Sequence, residues 1–132
     1  MSISTTWYDN EQRVIFQKFA GKWTWEEFNR ELKVLNTLAG SVSYNLVLWS
    51  DMSQTNIMPS GNILAQGRSV VGQIPDNITQ IVFVIQSRLI EVFAGLVFDM
   101  MPKWRNRVKF VKTVEEGQKL VAEAVAKNTV GT

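Results

Sequence analysis

The sequence has neither cysteine nor histidine among its 132 residues. Without these side chains the chain cannot form a disulfide, a Cys/His zinc site, a thiol nucleophile or a histidine-based catalytic triad. Its net charge is only +2, which is too small to indicate a nucleic-acid-binding protein. It also lacks an N-terminal basic stretch followed by an apolar segment, so we expect no signal peptide and a soluble, cytoplasmic protein.

Motifs for catalysis and cofactor binding are missing as well. The carboxylates are not paired by a recognisable motif, and the sequence has no glycine-rich phosphate loop and no metal-ligand spacing. The longest apolar segment, around residues 89–101, is too short and too charged to span a bilayer. We therefore expect a protein that is not an enzyme and that binds no cofactor or metal.

The chain does contain enough apolar material for a core. Hydrophobic residues make up 45% of a sequence that is long enough for one domain and too short for two. Short apolar runs alternate with amphipathic stretches in the order strand, strand, helix, strand, helix, strand, helix, strand, helix. This order predicts a single α/β domain over residues 1–132, with a mainly parallel five-stranded sheet, an antiparallel N-terminal hairpin and four helices. Residues 128–132 lack a periodic apolar face and should form a frayed tail.

The predicted strands are rich in β-branched and aromatic residues and cover residues 5–9, 14–19, 46–49, 78–85 and 107–111. The predicted helices have apolar residues at helical spacing and cover residues 24–40, 60–72, 87–101 and 113–126. Two of the helices begin with the spacing of a capping box, Thr24 with Glu27 and Thr113 with Glu116. In each box the threonine should cap the helix, and the glutamate should reach back to the threonine.

The central apolar run and the loop after it hold the first group of candidate residues. Residues 46–49 are continuously apolar, as expected of a strand buried on both faces. A polar loop from Asp51 to Ser60 should then cross the C-terminal edge of the sheet, where α/β proteins bind ligands and partners. Asp51 should tie this loop through backbone amides, and Ser60 should lie within one position of a helix N-cap. The candidate residues for a ligand or partner edge are Trp49, Asp51, Ser53, Ser60 and Gly61.

Several of these features occur together in one known family. The opening hairpin, the first long helix, Asp51-Met52-Ser53 after the buried strand, and a closing segment from Phe110 to Glu116 are similar to those of STAS domains. This family of sulfate-transporter and anti-sigma-factor-antagonist domains has the SpoIIAA-like fold. Its antagonists carry a phosphorylatable serine before a glycine, in a loop that reads Asp-Ser-Ser-Gly. Here the loop reads Met58-Pro59-Ser60-Gly61, so the chain resembles the uncharacterised STAS-like proteins more than the phosphorylated antagonists.

The resemblance implies a non-catalytic regulatory or protein-interaction module, and it makes Ser60 a candidate phosphosite. A phosphate at a helix N-terminus would be stabilised by the free N–H groups and the helix dipole. The alternative interpretation of Ser60 is an ordinary N-cap serine that is never modified.

The predicted third helix is apolar around most of its circumference, more than one sheet face can cover. We therefore expect a homodimer that uses this helix. A different protein partner or a lipid surface would cover the same apolar area. The candidate interface residues are Leu89, Phe93, Leu96, Val97, Met100 and Met101.

A cluster of basic residues late in the chain allows two interpretations. The basic residues Lys103, Arg105, Arg107 and Lys109 surround Trp104, and they form either a solvated edge or a contact for an anionic membrane surface.

The aromatic residues Trp23, Trp25 and Phe28 form either part of the core or a cage for a ligand. The alternative function is accordingly a small-molecule or lipid-binding protein with an apolar pocket at the C-terminal edge of the sheet.

Overall fold

A computed structural model describes residues 2–130 and contains one five-stranded sheet. The strands are β1 (Ile3–Trp7), β2 (Val14–Ala20), β3 (Leu46–Gln54), β4 (Ile78–Val84) and β5 (Val108–Val111). The helices are α1 (Trp25–Gly40), α2 (Ile63–Gly72), α3 (Arg88–Asp99) and α4 (Val114–Val130), with a short 3-10 turn at Pro102–Trp104. None of the described helices is long and apolar enough to cross a membrane.

The strands lie side by side in chain order, β1-β2-β3-β4-β5. The first pair is antiparallel, and every later pair is parallel. Parallel neighbours need a crossover, and a helix supplies it each time. The prediction of an α/β domain with an N-terminal hairpin, a mainly parallel five-stranded sheet and four helices is therefore confirmed.

Both faces of β3 are buried, because helices cover the sheet on two sides. Leu46 and Leu48 belong to a core that includes residues of α1, α2 and α3. Val47 and Trp49 point to the opposite face and pack with Val121 of α4. Successive side chains of a strand point to opposite faces, so a continuously apolar run is what this two-sided burial requires.

Trp49 lies at the centre of the face covered by α4, where it is 2% exposed. Its ring stacks on Tyr8 at a centroid distance of 5.6 Å and meets the ring of Phe16 at 6.1 Å. Helix α4 approaches closely at Gly117, where an added Cβ would lie 3.5 Å from the Trp49 ring and 3.0 Å from Cγ2 of Val84. The small residue thus lets the helix backbone rest directly on the sheet.

The helix caps match the sequence prediction in part. The hydroxyls of Thr24, Ser87 and Thr113 each accept a hydrogen bond from the backbone N–H three residues later, at 3.1–3.3 Å. The prediction that Glu27 reaches back to Thr24 is wrong. Its carboxylate instead accepts hydrogen bonds from the backbone N–H groups of Ser2 and Ile3, at 2.7 and 2.9 Å. Glu27 therefore fastens the start of β1 to α1.

The start of α2 and the end of α4 differ from the predicted bounds. Helix α2 begins at Ile63 and not at Ser60, because Gly61 has a φ of +113°, which a right-handed helix does not allow. Helix α4 continues to Val130. The prediction of a frayed tail is therefore wrong for residues 128–130, where the hydroxyl of Thr79 donates to Oδ1 of Asn128 at 3.0 Å. Residues 131 and 132 lie outside the described part of the chain.

Candidate functional site

A half-open cavity of about 80 Å³ lies between the sheet and helices α1, α2 and α3. A single buried water needs only about 10–15 Å³, so this space is larger than a packing defect of one water. Its floor is formed by β2, β3 and β4 and its roof by the helices. Apolar lining residues include Phe19, Leu48, Met52, Phe83, Ile90 and Val97.

The cavity reaches the C-terminal edge of the sheet. Met52 lies near the end of β3, while Trp25 and Ile63 are the first residues of α1 and α2. Helices begin where the parallel strands before them end, so these residues meet at the edge where α/β folds bind ligands. Half-buried side chains here, such as Met58 and Phe93, form the boundary between the cavity and the surface.

The roof of the cavity is tight at one contact between two helices. A Cβ at Gly67 of α2 would lie 2.7 Å from Cγ2 of Val97 on α3, closer than real Cβ contacts. The absence of a side chain at Gly67 therefore sets how near the two helices come. Both residues line the cavity, so this contact also fixes its height.

A row of polar side chains crosses the otherwise apolar face of the sheet. Thr5, Gln17 and Ser50 are register partners on β1, β2 and β3. The side-chain amide of Gln17 donates to Oγ1 of Thr5 at 3.1 Å. Both Gln17 and Ser50 line the cavity, and the buried hydroxyl of Ser50 has no hydrogen-bond partner. Sequence reasoning missed both residues, although Gln17 occupies an inward position between Ile15 and Phe19.

The aromatic cluster Trp23, Trp25 and Phe28 is both core and cavity wall. Trp23 and Trp25 are 5% and 9% exposed, and their ring centroids are 5.1 Å apart at an interplanar angle of 80°. Phe28 packs near both rings, at 5.6 and 6.2 Å. All three residues line the cavity.

Some residues of the cavity wall carry buried polar atoms that have no hydrogen-bond partner. Among the described residues, five buried side-chain polar atoms lack a partner, and three of them, Nε1 of Trp23, Nε1 of Trp25 and Oγ of Ser50, belong to cavity-lining residues. Leaving a buried donor or acceptor unpaired costs about 1–3 kcal/mol. The lining contains no charged side chain. The arrangement suits an uncharged, mainly apolar molecule and supplies no acid, base or nucleophile pair for catalysis.

The predicted edge residues do not form this site together. Trp49 belongs to the opposite face, under α4. Asp51 is buried inside β3, and its Oδ1 accepts hydrogen bonds from the backbone N–H and the hydroxyl of Ser53, at 2.9 and 2.7 Å. Asp51 was predicted to tie the loop through backbone amides; it accepts from one backbone amide, but that of Ser53, which lies within β3. The prediction that the loop begins at Asp51 is wrong, because β3 continues to Gln54.

Ser60 and Gly61 are exposed and do not line the cavity. The prediction that Ser60 lies within one position of the N-cap is wrong, since Asn62 is the cap and accepts a hydrogen bond from the backbone N–H of Ala65 at 3.2 Å. The electrostatic argument for a phosphate on Ser60 depended on that capping position and no longer applies.

No protein-family model matches this chain, and no curated protein matches it in sequence. Any functional assignment therefore depends on the geometry of the cavity and of the surface around it.

A second feature is an apolar stripe on the outer side of α3, which we call the α3 stripe. It consists of Leu89, Val92, Leu96 and Met100, which are 53, 46, 46 and 45% exposed. Of the other predicted interface residues, Val97 is buried, while Phe93 and Met101 are half-buried. Sequence reasoning missed Val92, because only the packing of α3 shows which side of a nearly all-apolar helix faces outward.

The basic cluster is used largely within the fold. Trp104 is buried, and the charged ends of Lys103 and Arg107 each lie 5.5 Å from its ring centroid. Lys103 also pairs with Asp76. Arg107 donates to the carbonyl oxygen of Ile78 at 3.4 Å. These contacts fasten the segment between α3 and β5, and they leave fewer free cations for a membrane surface than the sequence indicates.

Proposed function

We propose that this chain is a non-catalytic, STAS-like module that binds a small apolar molecule in the cavity between the sheet and helices α1, α2 and α3. The observation that carries the proposal is the cavity, which is lined almost wholly by aliphatic and aromatic side chains. Known ligand sites in proteins have this composition, and they occur at the same edge of α/β sheets. The lack of charged groups in the lining favours binding over catalysis.

Xenon is a suitable first probe, since it enters small apolar cavities without needing a hydrogen bond. Under xenon pressure, we expect the NMR signals of the methyl groups of Leu48 and Val97, which line the cavity, to shift. The methyl signals of Val82, which lies on the face covered by α4, should stay unchanged and serve as the control. Equal shifts of both sets, or none at all, would contradict the proposal.

A substitution that fills the cavity should remove the xenon-induced shifts. Ala94→Leu places a larger side chain at a lining position of α3 and should abolish the xenon shifts. Ala122→Leu makes the same change at an exposed position of α4 and should leave the shifts as in the wild type. Because overpacking costs about 1–3 kcal/mol, thermal unfolding should be recorded for both variants to show that they remain folded. If folded Ala94→Leu still shows the wild-type xenon shifts, xenon is bound elsewhere.

The second candidate function is an interaction module that forms a homodimer through the α3 stripe. The observation that favours it is the row of four adjacent apolar side chains, each close to half exposed. Contiguous apolar surface of this kind marks interaction sites, and a two-fold contact is the commonest way for a protein to cover it.

Sedimentation tests this second function. At tens of micromolar, roughly the range where specific interfaces form, the wild type should sediment as a dimer. Leu96→Asp should sediment as a folded monomer, because a charge would be buried in the interface. Ala122→Asp, on the exposed side of α4, should remain dimeric. A monomeric wild type would rule out the dimer, and binding to anionic liposomes would then test the α3 stripe as a membrane contact.

A further inference from the structure

We infer that two copies of this chain pair through antiparallel α3 helices, so that Arg88 of each protomer lies against Asp99 of the other. This arrangement rests on the second candidate function, the homodimer, and it specifies how the two copies of the α3 stripe meet. The apolar stripes form the centre of the contact, and a pair of opposite charges lies at each end.

The outward side of α3 carries both the charges and the stripe. Arg88 is the first residue of the helix and Asp99 is the last, and both are exposed. At about 100° and about 1.5 Å per residue, they lie within about 20° of each other around the axis and about 16 Å apart along it. Val92 and Leu96, each 46% exposed, lie between them. The exposed side of α3 is therefore positive at its start, apolar in the middle and negative at its end.

This surface is complementary to itself. A two-fold axis that passes the helix at the level of residues 93–95 makes two copies of α3 antiparallel and brings each outward residue opposite a matching one. The facing pairs are Arg88 with Asp99, Val92 with Leu96, and Leu89 with Met100. An isologous dimer needs such a surface, because the same patch contributes both halves of the contact. One axis therefore satisfies the charges and the apolar side chains together.

The two charges are unfavourably placed for the helix that carries them. The N-terminal end of a helix is positive and the C-terminal end is negative, so Arg88 and Asp99 each lie at the end of α3 with the same sign as their own charge. In the antiparallel pair, each charge lies beside the opposite end of the partner helix, where the dipole attracts it. Pairing thus adds a favourable interaction for each charge.

Neither charge is strongly engaged within its own chain. Arg88 approaches Glu91 only at 4.0 Å and its side chain is 86% exposed, while Glu91 also pairs with Lys112 at 3.2 Å. The Asp99 carboxylate forms no ion pair with the described residues. Arg105 donates to the carbonyl oxygen of Asp99 and not to its carboxylate. Both side chains are therefore free to meet a partner.

Gly95 supports a close approach of a second helix on this side. Glycine weakens a helix interior relative to alanine. Apart from the backbone of α3 and the adjoining residues, no atom of the described chain lies within 4 Å of the place where its Cβ would be. The packing of one protomer therefore does not require glycine here. In the antiparallel pair, Val92 of the partner faces Gly95, and the missing side chain leaves room for it.

An anionic lipid surface fits this pattern less well than a second copy. The head groups of such a membrane would attract Arg88 but repel Asp99, which is exposed on the same side of the helix. A second copy of the chain uses both charges.

Reversing one charge tests the arrangement. Arg88→Asp and Asp99→Arg each place like charges opposite each other at both ends of the contact. At low ionic strength, where exposed charges are least screened, each should weaken dimerisation by about tenfold in sedimentation experiments. Either reversal also improves the match between the charge and the dipole of its own helix, so circular dichroism should show that both variants remain folded.

Mixing the two variants should restore the dimer. In a mixed dimer, one protomer is negative at both positions and the other is positive at both, so opposite charges face each other at both ends. We expect the affinity of the mixed pair, and that of the double variant Arg88→Asp/Asp99→Arg, to return to within about threefold of the wild type, since the attractive pairs are regained. Lys119→Asp and Glu123→Arg, at exposed positions of α4, are the controls and should dimerise like the wild type.

The outcomes separate this arrangement from the homodimer itself. A monomeric wild type would overturn both, whether or not the protein then binds anionic liposomes. If the wild type dimerises and Leu96→Asp dissociates it, but the two charge reversals leave the affinity unchanged, the homodimer is retained and the antiparallel arrangement is overturned. Weakened single variants that regain no affinity when mixed would likewise overturn the pairing of Arg88 with Asp99.

Discussion

Replacing Trp49 with alanine is expected to lower the free energy of unfolding by about 3–5 kcal/mol, the usual cost of removing a core aromatic side chain. Trp49 is 2% exposed and contacts the rings of Tyr8 and Phe16. It also fills the space beside Gly117, where α4 meets the sheet. Its removal therefore leaves a cavity between the sheet and α4 that no neighbouring side chain fills completely.

Equilibrium unfolding in urea measures this change. Trp49→Phe should cost less than Trp49→Ala, since it retains a ring and since Nε1 of Trp49 makes no hydrogen bond that could be lost. Trp7→Ala, at a half-buried position of β1, is the comparison for removing a tryptophan near the edge of the sheet. A Trp49→Ala protein that unfolds within a few tenths of a kcal/mol of the wild type would contradict the two-sided burial of β3.

Replacing Glu27 with alanine is the second substitution for which we expect a large effect. It should lower the free energy of unfolding by about 2–4 kcal/mol. Glu27 is 8% exposed, and its carboxylate accepts two hydrogen bonds from the start of β1. A buried hydrogen bond to a charged group contributes about 1.5–3 kcal/mol. The bond to Ile3 is buried, whereas the N–H of half-buried Ser2 can bind water in the variant, so its loss costs less. Amide hydrogen exchange at Ile3 should therefore accelerate along with the loss of stability.

Glu26, the residue before Glu27, provides the control for this prediction. Glu26→Ala changes an exposed glutamate in the same helical turn and should alter the free energy of unfolding by no more than about 0.5 kcal/mol. Glu27→Gln keeps one acceptor oxygen, so its free energy of unfolding should lie between those of the Glu26→Ala and Glu27→Ala proteins. Equal stability of the Glu26→Ala and Glu27→Ala proteins would show that Glu27 does not hold β1 in place.

The sequence was most informative where one local signal decides a structure. The apolar run at residues 46–49 predicted a strand buried on both faces, and Thr24, Ser87 and Thr113 marked three helix starts. It was misleading where two local signals compete. Ser60 and Asn62 are both suitable N-cap residues for α2. Gly61 has a φ of +113°, which a helix does not allow, so the helix begins after it and Asn62 is the cap.

The cavity was harder to predict, because it depends on contacts between distant segments. Its height is set by Gly67 and Val97, which are thirty residues apart in sequence. Gln17 and Ser50 are register partners only after β2 and β3 pair. The outer side of α3 likewise became defined only when Val97 packed inward and left Leu96 outside. Periodicity identifies such a helix but does not tell which side a neighbour will cover.

The order of the strands has a consequence for synthesis on the ribosome. The strands β1 to β5 lie in the sheet in the order in which they are translated. When each of β2 to β5 is synthesised, the neighbouring strand with which it pairs has therefore already been synthesised. Of the described helices, however, only α4 covers the face that carries Val47 and Trp49, and it is translated last. A nascent chain that stops before Val114 therefore presents a wide apolar surface, of the kind that makes folding intermediates prone to aggregate and that chaperones protect. Emergence of the last helix, rather than formation of the sheet, ends that vulnerable period.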